Sequence, residues 1–131
     1  MITHALLHFS HGITADGGLL HLTSQYGDVQ TYDPERGTTR ARASGLSRPM
    51  GIVVGPDGSL VVAEADAGRV LAIDEQGTVT VLAQGLDHPV DVAFDAAGRL
   101  YVSDEHAGAV LRVQEDGQTV IVADGLGAPR V

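Results

Sequence analysis

Cysteine is absent from the 131 residues, which excludes a disulfide framework, a thiolate metal site and a cysteine nucleophile together. Basic residues are scarce, with 8 Lys and Arg against 17 Asp and Glu and a formal charge of -9. A surface that tracks phosphates needs clustered cations, so nucleic acid is not an expected partner. Aromatic residues make up only 4% of the chain, too little material for a base- or sugar-stacking platform. No apolar run approaches the roughly 20 residues of a membrane helix. The opening MITHALLHFSHG also lacks the basic stretch of a secretory leader. A soluble, cytoplasmic protein without a membrane partner is the expectation. No G-x-S-x-G elbow, Walker loop or G-x-G-x-x-G occurs in the sequence. Ser103, Asp104 and His106 offer triad residue types, but three residues within one strand end do not make that relay.

What the chain has instead is a repeat. Residues 45–84 and 85–124 align without a gap and share 13 of 40 positions, among them Pro49/Pro89, Gly58/Gly98, Leu60/Leu100, Val62/Val102, Gly68/Gly108, Leu71/Leu111 and Gly77/Gly117. The shared residues are turn formers and apolar strand formers, so the repeated object is a structural unit. Glycine-containing turns cut each copy into four short runs: 51–54, 60–64, 69–74 and 78–83 in one, 91–94, 100–104, 109–114 and 119–123 in the next. Runs of four to six residues rich in Val, Ile and Leu between Gly, Asp and Pro predict strands joined as hairpins. No stretch carries a 3.6-residue apolar period. The first forty residues form a degenerate copy, with Gly12-Ile13 placed like Gly51-Ile52 and Leu20-His21-Leu22 like Leu60-Val61-Val62.

Four antiparallel strands per unit of about 40 residues are the blade of a β-propeller, where each sheet buries both faces against its neighbours. Consecutive apolar pairs such as Val53-Val54 and Val61-Val62 fit that demand. The expected fold is all-β, with about three four-stranded blades at 5–44, 45–84 and 85–124 in one domain of residues 1–131. A further blade junction follows at 125–131. Propellers typically close with four to eight blades. Three therefore imply either a homodimer closing a six-bladed ring or a segment of a longer propeller.

The pattern from Pro49 to Gly77, repeated more loosely from Pro89 to Gly117, resembles the NHL repeat and its relatives, the gluconolactonase-like (regucalcin-type) hydrolases and the streptogramin lyases. The resemblance implies a propeller, and on the gluconolactonase side one divalent cation in the central channel held by Glu, Asn and Asp. Two of those ligands commonly follow the junction proline directly. Here Met50, Val90 and Arg130 occupy those positions, and none supplies the hard oxygen such an ion prefers.

In a propeller the blade junctions and the loops between second and third strands share one face. That face would collect Arg48, Asp87 and His88 with Glu64, Asp66, Asp104, Glu105 and His106. The ligand-binding candidates are Arg48, Glu64, His88, Asp104 and His106. Glu64 and Asp104 occupy equivalent positions and also suit an alternative role, bonding loop amides as turn acids do. Asp91 replaces Gly51 of the preceding copy, which makes it, with His88 and His106, a catalytic candidate. Asp91 and His11 are the metal candidates for a channel cation such as Ca, Mg or Zn. His4 and His8 precede His11 in an H-x3-H-x2-H cluster whose members do not share one face of a strand.

Two functions follow. The first is an NHL-type module that binds a protein, peptide or small ligand on its loop face. The alternative is a lactonase-like hydrolase or a streptogramin-type lyase whose site is completed by another chain or by further blades.

Overall fold

The computed structural model describes residues 10–125. Arg130, His4 and His8 lie outside the described residues. Twelve strands make three four-stranded antiparallel meanders. The first contains β1 (Ser10–Asp16), β2 (Leu19–Ser24), β3 (Val29–Asp33) and β4 (Thr38–Ala43). The second contains β5 (Pro49–Val54), β6 (Leu60–Glu64), β7 (Arg69–Ile73) and β8 (Val79–Ala83). The third contains β9 (Pro89–Phe94), β10 (Leu100–Asp104), β11 (Ala109–Val113) and β12 (Thr119–Ala123). These are three β-propeller blades, with β1, β5 and β9 packed side by side as the innermost strands. Among the described residues no helix is long and apolar enough to cross a membrane.

Two strands begin earlier than the apolar pattern predicts. β5 and β9 start at their prolines, and Pro49 pairs with Glu64 as Pro89 does with Asp104. Proline has no N–H to donate, but the first residue of an edge strand needs none.

The middle blade explains the repeat's composition. Leu60, Val62 and Ile73 of one face are at most 1% exposed and pack with Val29 of the first blade. On the opposite face Val61, Ala63 and Val70 pack against Val92, Leu100, Val102 and Leu111 of the third. Burying each such Val or Leu contributes about 1.5–3 kcal/mol relative to exposure.

The seam between the first and second blades is built differently. His21, Thr23, Thr31 and Arg42 stand where the second blade has Val61, Ala63, Ala72 and Leu82, and all four are buried. They bond one another and the neighbouring backbone, although Arg42 Nε is buried without a hydrogen-bond partner. Arg42 Nη1 donates to Thr31 Oγ1 at 3.0 Å and its Nη2 to the Asp74 carbonyl at 3.2 Å. Thr23 Oγ1 donates to the Met50 carbonyl. His21 Nδ1 lies 2.8 Å from Thr31 Oγ1. Thr31 Oγ1 thus joins the Arg42 guanidinium and the His21 ring in one buried network. Burial first, and then the Arg42 charge, lower the His21 pKa from its ordinary 6.5.

On one face of the blades each junction loop ties two blades together. Leu46 N donates to the Gly27 carbonyl at 3.1 Å and Leu86 N to the Gly68 carbonyl at 3.0 Å. The same junctions also receive the following blade: Ala65 N bonds the Arg48 carbonyl, and Glu105 N the His88 carbonyl. Gly27 and Gly68 have φ of 90° and 65°, and a Cβ at Gly68 would collide with the Leu86 carbonyl oxygen. Gly58 also has positive φ, 87°, but opens on empty space.

Two outcomes follow. Gly58→Ala should cost only the left-handed backbone penalty, about 1–2 kcal/mol. Gly68→Ala should cost about 3 kcal/mol once overpacking against the junction is added. Urea unfolding of both variants measures the difference, and equal losses would mean that the junction contact contributes nothing. The His21 shift has its own signature. A folded-state pKa below 6.5 means that the unfolded chain binds this proton more readily. The stabilisation is complete above pH 6.5 and is lost as the pH falls through the folded value. The urea midpoint should therefore drop between pH 7.5 and 5, and His21→Asn should flatten that drop, with Arg42, Arg40, Asp16 and Glu75 unchanged around it.

Candidate functional site

The acid that ends the second strand of a blade is spent on structure. Glu64 is 1% exposed. One of its oxygens accepts from Ser47 N at 2.8 Å, and the other accepts from Arg69 Nε at 2.7 Å within a salt bridge. Asp104, 3% exposed, has no such arginine, since Ala109 stands where the second blade has Arg69. Its shorter carboxylate takes three amides instead: Asp87 N at 2.8 Å, His88 N at 2.9 Å and Ala107 N at 3.1 Å. Both acids are thus engaged with the loops, the alternative that their equivalence in the repeat raised. Neither turns a free carboxylate toward a ligand.

By fixing Asp87, His88 and Ala107, Asp104 sets two loops of the third blade against each other. The His88 and His106 rings consequently stack, with centroids 4.3 Å apart and planes 16° from parallel. His88 Nε2 lies 3.5 Å from Glu105 Oε1. The His88 side chain is half-buried at 16% exposure, whereas Glu105 and His106 face solvent. Arg48, the counterpart of His88 in the second blade, is exposed and holds a left-handed φ of 62°, the one positive φ outside glycine among the described residues.

The inner strands offer less. His11 and Asp91 line a hollow of about 200 Å³ with Gly12, Ile13, Met50, Gly51, Ile52 and Val90. His11 Nδ1 lies 3.1 Å from the Pro49 carbonyl, an acceptor that requires the proton on that nitrogen. Asp91 is exposed, and its Oδ1 accepts from Val92 N at 3.0 Å. A Cβ at Gly51 would collide with the Asp91 carboxylate, and one at Gly12 would sit 2.5 Å from the Met50 carbonyl oxygen. Close approach of the inner strands thus requires glycine at those two positions and leaves Asp91 as the only carboxylate lining the hollow. Among the described residues neither His11 nor Asp91 belongs to a group of three His, Asp or Glu side chains near enough to share an ion. Within the described residues these positions supply one imidazole and one carboxylate, short of a complete set of ligands for the channel cation that the gluconolactonase resemblance implies.

The buried polar seam of His21, Thr31 and Arg42 was not anticipated. The one signal for it was the departure of the first copy from the apolar residues of the other two. Glu105 belongs to the loop face by its sequence position, but its approach to His88 depends on the Asp104 latch, which sequence spacing does not reveal.

No protein-family model matches the chain, and no curated protein does. Solved structures do. The chain superposes on a catalytically inactive virginiamycin B lyase from Staphylococcus aureus with quinupristin at TM-score 0.77 and 17% identity, covering 92% of this chain and 42% of that one. It is also similar to a gluconolactonase from Xanthomonas campestris, with TM-score 0.77, 20% identity and coverage of 88% and 48%. A third likeness is to a nidogen/laminin complex, with TM-score 0.74, 21% identity and coverage of 85% and 45%. The chain spans less than half the length of each of these. At such identities the likeness establishes the fold, the β-propeller shared by lyases, lactonases and NHL-type binding proteins.

Proposed function

We propose that this chain is an NHL-type β-propeller binding module that takes a peptide or small polar ligand on the face formed by its blade junctions and second-to-third-strand loops. The observation that carries this reading is the division of polar groups between the two regions. The innermost strands place Gly12, Gly51, Met50 and Val90 where a channel enzyme needs ion ligands, while Arg48, Asp66, Asp87, Glu105 and His106 stand exposed on the loop face. Exposed polar groups on loops held by a rigid scaffold are the usual makings of a recognition surface. The lactonase and lyase neighbours supply the competing reading. Incubation with gluconolactone and with quinupristin, in the presence of Mg²⁺ or Ca²⁺, should give no turnover above buffer. Turnover that disappears in Asp91→Ala would overturn the binding reading. A peptide and fragment screen should return ligands whose binding weakens at least tenfold in Arg48→Ala, and hits indifferent to every loop substitution would count against it.

We further propose that a second copy covers the open face of the third blade. Ala93, Tyr101, Ser103 and Val110 on that face correspond to Val53, Val61, Ala63 and Val70, which the neighbouring blade covers in the second sheet. On the first blade Ile13 is 61% exposed. Two three-bladed halves would close one six-bladed ring, and an uncovered apolar sheet face of this kind favours association. Light scattering on the 131-residue chain should give twice its 13.6 kDa mass, and Tyr101→Glu should return it to the monomer. A stable monomer at micromolar concentration would overturn the assembly while leaving the ligand reading open.

A further inference from the structure

We infer that His88, Glu105 and His106 form a binding site for a borderline first-row divalent cation, of which Zn²⁺ is the representative, at the edge of the loop face. One ligand atom from each residue lies within 4.8 Å of the other two, and this is the only such group of three among the described residues. Zinc takes imidazole nitrogen at about 2.0–2.1 Å and carboxylate oxygen at about 2.0–2.2 Å in a tetrahedral arrangement, which places neighbouring donor atoms roughly 3.4 Å apart. The 3.5 Å between His88 Nε2 and Glu105 Oε1 already meets that spacing. His106 closes the rest by turning its ring, which costs little because the side chain is exposed. Two imidazoles and one carboxylate leave a fourth position for water or a ligand. Nitrogen donors favour zinc, copper or nickel over Ca²⁺ and Mg²⁺, which prefer all-oxygen shells.

The second blade is an internal control. Arg48, Ala65 and Asp66 stand at the positions of His88, Glu105 and His106, while the surrounding framework of Pro49/Pro89, Ala67/Ala107 and Gly68/Gly108 is unchanged. All three donors are therefore departures from the repeat, and they occur together. The framework also supplies what a site requires beyond its ligands, a fixed backbone beneath them. Asp104 holds the His88 and Ala107 amides, and the His88 carbonyl accepts from Glu105 N at 3.0 Å. A stacked histidine pair beside a glutamate also occurs as plain surface packing, and the variants below separate the two.

This site is independent of whether the loop face takes a larger ligand. The test is calorimetric titration of the purified chain with Zn²⁺, accompanied by Co²⁺ as a visible-absorption probe of four-coordinate geometry. One equivalent of Zn²⁺ should bind with micromolar affinity, unaffected by excess Ca²⁺ or Mg²⁺, and Co²⁺ should give the intense bands of a tetrahedral site. His106→Ala, an exposed position outside the fold's hydrogen bonds, should weaken binding at least tenfold with the circular dichroism spectrum unchanged. Glu105→Gln should weaken it in the same direction. The double variant His4→Ala/His8→Ala should bind as the parent does. The inference is overturned if no Zn²⁺ binds at millimolar concentration, if His106→Ala binds like the parent, or if the His4/His8 variant alone loses the metal.

Discussion

The buried carboxylate at the end of a blade's second strand is the interaction on which the loop face depends. A junction loop crosses from the outer strand of one blade to the inner strand of the next, and its amides have no sheet partner there. Glu64 and Asp104 reach them from below. Two chemistries solve the same problem. Glu64 is long enough to share its charge between one junction amide and Arg69, whereas Asp104 is shorter and neutralises nothing, accepting three amides instead. A carboxylate taken out of water demands such partners, since an isolated buried charge is strongly unfavourable. In the first blade the equivalent position is Ser24, whose hydroxyl accepts from Tyr26 N, a neutral group that needs no counter-charge.

The two seams between blades differ in kind, and the difference follows from which face each residue serves. Between the second and third blades Val61, Ala63 and Val70 meet Val92, Leu100 and Val102, an association driven by area and tolerant of small shifts. Between the first and second, Arg42 bridges to the Asp74 carbonyl and Thr23 to the Met50 carbonyl. Those bonds fix register, because a slip of one residue would strand a buried guanidinium. The seam adjoining the degenerate copy thus adds polar geometry to the apolar contact of Val29 with Leu60, Val62 and Ile73, whereas the other rests on hydrophobic complementarity.

The repeat made the strand order, the four-stranded unit and the doubly buried middle sheet legible, because all three are periodic properties of Gly, Pro, Leu and Val positions. Strand ends were less so. Pro49 and Pro89 read as breaks in the chain, yet each pairs with the buried acid opposite it and starts a strand. The candidate site was legible in part. Departure from the repeat pointed to His88, Asp91 and His106, but alignment alone could not tell which of them face one another. Asp91 bonds its own neighbouring amide, while the two histidines stack. That outcome depends on loop conformation set by Asp104, a tertiary contact with no periodic signature.

A repeated scaffold can acquire a local site without putting its fold at risk, and the third blade illustrates the mechanism. Its framework residues Pro89, Asp104, Ala107 and Gly108 hold the loop backbone, while the exposed side chains at 105 and 106 lie outside the core and the His88 ring is half-buried beside them. Chemistry introduced at 105 and 106 is therefore nearly uncoupled from stability, in contrast to Asp104, where substitution would disturb three amides at once. The arrangement places the positions free to vary beside the positions that cannot, so that the geometry of the first is inherited from the rigidity of the second.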